Sequence, residues 1–142
     1  MSLANYSHQA LLNYMFSKTS NFDVQPTIYT ALSTADVSAG DGTGFTEATG
    51  TGYARKSTVA GDWNTATLAD PSVLDNGNAI VYASAGGDWS TGSNMIYTGL
   101  YDALTVGNYL GGGAHTVDKP VLNGDTAQYN AGDLDIQFDW TA

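Results

Sequence analysis

The sequence predicts a mainly β fold: a single antiparallel β-sandwich, jelly-roll or immunoglobulin-like, with an N-terminal α-helix and long glycine-rich loops. Three observations carry that prediction. Helical periodicity is confined to the stretch before Lys18. Short β-branched and aromatic runs follow, punctuated by Gly, Asn and Asp. No helical pattern lies between those runs to make the crossovers that a parallel sheet needs. A length of 142 residues suits one domain, read as a helix or arm over 1–20 and a β-sandwich over 26–142.

Taken in order, Ser2 is placed to cap a helix over 3–17, with Leu3, Tyr6, Ala10, Leu11, Tyr14 and Met15 recurring at three- and four-residue spacing. Thr27 to Leu32 is β-branched and aromatic and follows Pro26, which reads as a strand. Residues 35–52 carry five glycines and the turn Asp41-Gly42, so a long loop is expected there. Loops of that length are functional or bound to a neighbour more often than idle. Tyr53 to Val59 reads as a strand, 61–77 as a second irregular stretch, and 78–83 and 95–101 as further strands. Asn108 to Leu110 is expected to be short, because Gly111-Gly112-Gly113 offers no side chains to hold regular structure. Tyr129 closes a short strand from Ala127. In the last run, Leu134, Ile136, Phe138 and Trp140 alternate with Asp135, Gln137 and Asp139. That alternation puts four large apolar groups on one face of a half-buried strand, each worth roughly 1.5–3 kcal/mol when buried.

Charge excludes several function classes. Four Lys and Arg against fourteen Asp and Glu give a net charge of −10. So few scattered cations cannot drive nucleic-acid binding by counterion release or hold an anionic membrane. The absence of cysteine removes disulfides and thiolate chemistry. No stretch matches a signal peptide or a transmembrane span, so synthesis in the cytoplasm without a signal peptide is expected.

Catalytic motifs fail in turn. No serine sits in a Gly-x-Ser-x-Gly elbow, and neither Gly42-Thr43-Gly44 nor Gly50-Thr51-Gly52 leads into Gly-Lys-Ser/Thr. His8 and His115 are far apart without a metal-ligand spacing. All the acids but Glu47 are Asp, and most adjoin turns, where Asp hydrogen-bonds its own backbone. Asp36, Asp41 and Glu47, or Asp75, Asn76 and Asn78, could gather a calcium ion, but no segment has the spacing of a calcium loop. The expectation is a non-enzyme with no catalytic residues, cofactor or metal. A hydrolase built from dispersed Asp residues is the weakest rival. Nine Tyr, three Trp and four Phe instead suggest a binding surface. A carbohydrate-binding module stacking sugars on Trp63, Trp89 or Tyr109 is the stronger rival.

Several short segments, in order, carry a resemblance. They are Met1-Ser2-Leu3 with Tyr6 and Leu11-Leu12, Pro26-Thr27-Ile28-Tyr29, Ala31 to Asp36, and Thr46-Glu47. Gly52 to Lys56, Gly99 to Ala103, Asn123-Gly124-Asp125 and Ala131 to Leu134 complete them. Together they resemble a family of small tailed-bacteriophage virion proteins, labelled tail fibre proteins and related to capsid decoration, or cement, proteins. The resemblance implies a structural protein of the virion, on the outer capsid surface or the tail. It binds other virion proteins, either the major capsid protein or tail proteins, as a homo-oligomer with a trimer favoured. Capsid decoration is the leading expectation, since no repeat or coiled-coil shaft is visible; a tail fibre role is the alternative. The expected interface residues are Leu3, Tyr6, Leu11, Phe45, Glu47, Tyr53, Arg55, Lys56, Trp63, Trp89 and Tyr109, with Glu47, Arg55 and Lys56 as candidates for inter-subunit salt bridges. The chain departs from the family where Leu104-Thr105-Val106 precede Gly107 in place of a glycine-rich turn, and in a longer 62–75 segment.

Overall fold

A computed structural model describes residues 1–18 and 26–138. The chain is mainly β, with antiparallel sheets and one N-terminal helix. A two-residue strand, β1 (Ser2–Leu3), leads into α1 (Asn5–Met15). The strands that follow are β2 (Thr27–Ser33), β3 (Lys56–Val59), β4 (Ser72–Asp75), β5 (Ile80–Ser84), β6 (Asn94–Tyr101), β7 (Tyr109–Pro120), β8 (Thr126–Tyr129) and β9 (Asp135–Phe138). Five of them form a sheet in the order β1-β7-β6-β2-β3, while β4-β9 and β5-β8 are two-stranded ribbons.

The strand period sets the layers. On β2, Leu32 enters one apolar cluster and Ala31 another, so successive side chains serve opposite faces. Thr30 to Ser33 are all buried because both faces of the sheet are covered. The larger cluster joins Leu32 and Met95 of the sheet to Ile80 and Tyr82 of β5, with Trp89, Val121 and Leu134, so the β5-β8 ribbon packs over the sheet in a sandwich-like layering. Tyr82 donates from its hydroxyl to Thr30 Oγ1 at 2.9 Å inside that layer. Burial pushes the Tyr82 phenol well above its usual range. On the outer face, Ala4, Ala31, Tyr101 and Tyr109 form the second cluster, with Tyr29, Val37 and Phe45 against it.

Four elements differ from expectation. Ser2 does not cap the helix; it pairs with Gly112, and Leu3 with Gly111, so the first residues belong to the sheet. Ala4 occupies the N-cap without a side-chain bond. The orphan N–H groups of the first turn go elsewhere: Ala4 N–H donates to Leu110 O, Asn5 N–H to Gly40 O. At the other end, the N–H of Ser17 bonds Tyr14 O and that of Lys18 bonds Asn13 O, with Ser17 left-handed at φ 53°. This Schellman arrangement satisfies two of the last carbonyls.

The second difference is Gly111-Gly112-Gly113, which lies inside the long strand β7. The ladder there is set from outside, by β6 on one side and β1 on the other. A Cβ at Gly112 would collide with the Thr98 carbonyl, the Tyr109 hydroxyl and the Tyr97 ring, so glycine is what lets these strands close. Third, the irregular 61–77 stretch contains β4, which pairs with β9. Fourth, the strand expected over Tyr53–Val59 is only β3, because Tyr53 and Arg55 turn their side chains toward Glu47 while Ala54 stays exposed. In the final strand, Leu134 is buried and Asp135 and Gln137 are exposed, as alternation demands; Trp140 lies outside the described residues. Among the described residues no helix is long and apolar enough to cross a membrane.

Candidate assembly surface

Arg55 is the best-connected charged side chain of the outer face. It precedes β3, and its guanidinium lies 3.7 Å from the centroid of the Tyr101 ring on β6. Its Nε and Nη2 donate to the two Glu47 oxygens at 2.9 and 2.8 Å, the forked geometry that a planar guanidinium offers a carboxylate. Nη1 donates to the carbonyls of Ala103 and Val106 at 2.8 and 2.7 Å. The Arg55 side chain is only 6% exposed, against 32% for Glu47. Burial opposes the Arg55 charge, but the Glu47 carboxylate outweighs it and holds the guanidinium above its ordinary value.

Tyr53 completes the node. Its hydroxyl donates to Glu47 Oε1 at 3.1 Å and accepts from the Leu32 N–H at 3.1 Å. Burial raises its pKa, and burial likewise pushes Tyr101 up to about 12. Glu47 is anchored in turn, through a bridge to Ser33 at the end of β2. Glu47 and Arg55, expected as candidates for inter-subunit salt bridges, pair with each other within the chain. Their charges and donors are satisfied within one chain, where they tie the 35–52 loop to the β6–β7 loop. Lys56, half-buried at the start of β3, is not part of this node.

The aromatic candidates turn inward as well. Trp89 has no exposed surface, donates from Nε1 to Thr51 O at 3.2 Å, and meets the Tyr53 ring edge-on at 5.1 Å. Trp63 is half-buried and donates to Thr58 Oγ1 at 3.1 Å. Tyr109 is 9% exposed and stacks with Tyr101 and Phe45. Phe45 also packs edge-on against Tyr97 and Tyr101, so through this ring the 35–52 loop covers the sheet's outer face. Trp89 and Tyr109 are core and Trp63 is half-covered, so these three rings do not together form an exposed sugar-stacking platform.

One apolar surface that remains open is the helix and its C-terminal end. No residue of α1 is buried; Tyr6 is 44% exposed, while Leu3 and Leu11 are half-covered. Leu12, Met15 and Phe16 stand 55%, 65% and 67% exposed, an apolar stripe at three- and four-residue spacing.

On the opposite layer a cleft of about 790 Å³ opens between the outer part of β7, β8 and the chain near β9. Its wall includes His115, in a bulge of β7 where the register with β6 slips between Met95 and Tyr97. The ring bonds Met95 O through Nδ1 at 2.9 Å, which fixes the proton there because a carbonyl only accepts. Nε2 then accepts from the Thr98 or Tyr129 hydroxyl, each at 2.8 Å, and those hydroxyls also bond each other. Burial lowers the His115 pKa, against a weaker opposing pull from the Met95 carbonyl and Asp118.

Asn76, read from the sequence as a turn residue and a possible calcium ligand, has a different place in the fold. It is fully buried: its Oδ1 accepts from the Leu134 N–H at 2.8 Å, and its Nδ2 donates to Asn78 O and Asn130 O. Of the groups that could have gathered calcium, Asn76 and Glu47 are thus engaged in the fold, and Asp41 accepts from the Thr43 N–H. Among the described residues no three or more His, Cys, Asp or Glu side chains are placed to hold a metal, and no buried side-chain nitrogen or oxygen lacks a partner.

No curated protein matches the chain. A family model described as podophage GP4 fiber I protein gp80 matches residues 2–137, from β1 into β9. The match spans the sheet, both ribbons and the Arg55 node, and the chain belongs to this family of phage fibre structural proteins.

Proposed function

We propose that this chain is a non-enzymatic building block of a fibre on the virion, acting by binding other virion proteins. The family match over residues 2–137 carries the reading, because the family is described by its fibre. That description favours the fibre role over the capsid decoration first expected from the short, repeat-free sequence. The chemistry of the site agrees with a structural role. Its one forked ion pair binds loop to loop, and its tyrosines are raised in pKa by burial rather than lowered toward reactivity.

A small homo-oligomer is part of this reading. The exposed apolar side chains of Leu12 and Met15 on α1 and of Phe16 at its C-cap support it, since a helix of this length gains its stability from packing. Immunogold labelling of purified particles tests the placement. Label on projecting fibres supports the reading, and label spread across the shell supports decoration instead. Sedimentation of the purified chain tests the self-association, which Leu12→Ser with Met15→Ser should weaken.

A further inference from the structure

The loop between β6 and β7 holds an unusual combination of strain, rigidity and exposed apolar side chains. Val106 has a φ of 59° and Gly107 a φ of 75°. Two consecutive positive values are the pattern of a type I′ turn, for which Asn-Gly is the favoured pair. Glycine is required at 107, where a Cβ would collide with Asp102 Oδ1 and the Ala103 side chain. Valine at 106 is the opposite case. A β-branched residue is a true outlier in this region, and the Val106 side chain is 84% exposed, so folding gains almost nothing from it.

The other non-glycine residues with positive φ are accounted for locally. Ser17 ends a helix. Ser90 and Thr91 engage their hydroxyls, Ser90 Oγ accepting from the Thr49 N–H and Thr91 Oγ1 donating to Ser90 O. Val106 has no polar group with which to do the same. Yet its backbone is held firmly. Arg55 clamps the carbonyls of Ala103 and Val106, while Asp102 accepts from both the N–H and the side-chain amide of Asn108 at 2.7 Å. Leu104, beside it, is 50% exposed. Strain kept in a segment that its surroundings over-determine points to work done outside the fold.

We propose that this loop is a preformed plug whose tip, Leu104 and Val106, seats in an apolar pocket on a neighbouring virion protein. The inference rests on the fibre reading and names a contact through which that function is exercised. The receiving surface is protein and not lipid, because a chain of net charge −10 is repelled by anionic bilayers. A different protein is the better receiver, because the cleft on this chain mixes its apolar groups with three carboxylates, Asp125, Asp133 and Asp135, which an apolar tip would desolvate without pairing. The Arg55 node then has a purpose: it fixes the loop before docking, so little conformational entropy is lost on binding.

The test is phage assembled with Val106→Gly, Val106→Asn, Val106→Ile or Leu104→Ser, with copies per particle counted by quantitative mass spectrometry and each purified chain melted in parallel. Gly and Asn relieve the strain, so those chains melt at or above the parent temperature. Their copy number nevertheless falls about tenfold or more, as does that of Leu104→Ser, because an anchoring apolar contact is removed. Val106→Ile keeps the apolar branch and parental copy number. Parental copy number for the Gly and Asn variants overturns the plug, and so does a melting temperature well below the parent for Val106→Gly. If the unmodified chain is missing from unmodified particles, the fibre reading itself fails, which is a separate result.

Discussion

Arg55→Met is the sharpest probe of how the outer face is held together. The substitution keeps most of the apolar stem but deletes four hydrogen bonds and the contact with the Tyr101 ring. Removing one partner of a fully buried pair costs about 3–5 kcal/mol, mostly because the other charge is stranded. Glu47 is 32% exposed, so water partly replaces the guanidinium, and the Val106 carbonyl lies toward solvent while that of Ala103 is part-buried. A loss of about 2–4 kcal/mol follows. For a domain of this size each kcal/mol moves the melting temperature by about 3–4 °C, so the variant should melt roughly 10 °C lower. Arg55→Lys keeps the charge but not the fork, and should lose more than half as much. A double-mutant cycle with Glu47→Gln should return a coupling of about 1–3 kcal/mol. The assay is thermal or urea unfolding of the purified chain. An Arg55→Met melt within about 2 °C of the parent, or strictly additive effects in the cycle, would refute the reasoning.

Other predictions follow from the same geometry. Asn76→Ala strands the Leu134 N–H and the Asn78 and Asn130 carbonyls and should destabilise the chain by about 3 kcal/mol in urea unfolding. His115 has a folded pKa below its unfolded value near 6.5, so the stability tied to its neutral ring is complete above that pH and lost as pH falls through the folded pKa. The melting temperature should therefore decline on acidification below pH 6.5, and less steeply in His115→Gln; equal slopes count against this network. Trp89→Ala empties the centre of the larger cluster and should cost about 3–5 kcal/mol, read by the same unfolding assay.

Strands built from β-branched and aromatic residues, such as β2 and β6, were legible in the sequence because their pattern is local. β7 was not, since glycine leaves no pattern and the neighbours supply the ladder. Ser2 is chemically a good helix cap, but its backbone is claimed by Gly112, far along the chain. The same limit applies to the site. Glu47 and Arg55 stood out as scarce charges, but nothing local shows that Tyr101 and the carbonyls of Ala103 and Val106 converge on Arg55. Asn76 lies beside Gly77 and reads as a turn, while the partner that makes it a core residue, Leu134, is 58 positions away. The abundance of aromatics suggested a binding surface, yet composition cannot tell a ring that faces a partner from one that covers its own sheet.

A β scaffold with its buried polar groups satisfied, serving as a fibre component, has a definite place in the particle. Cryo-electron microscopy of the intact particle, with this chain fitted into the density, measures that place directly. The chain should lie within projecting fibres, its 102–108 loop against a neighbouring protein. Density for it as a regular lattice over the shell, or in no part of the particle, would rule the fibre role out.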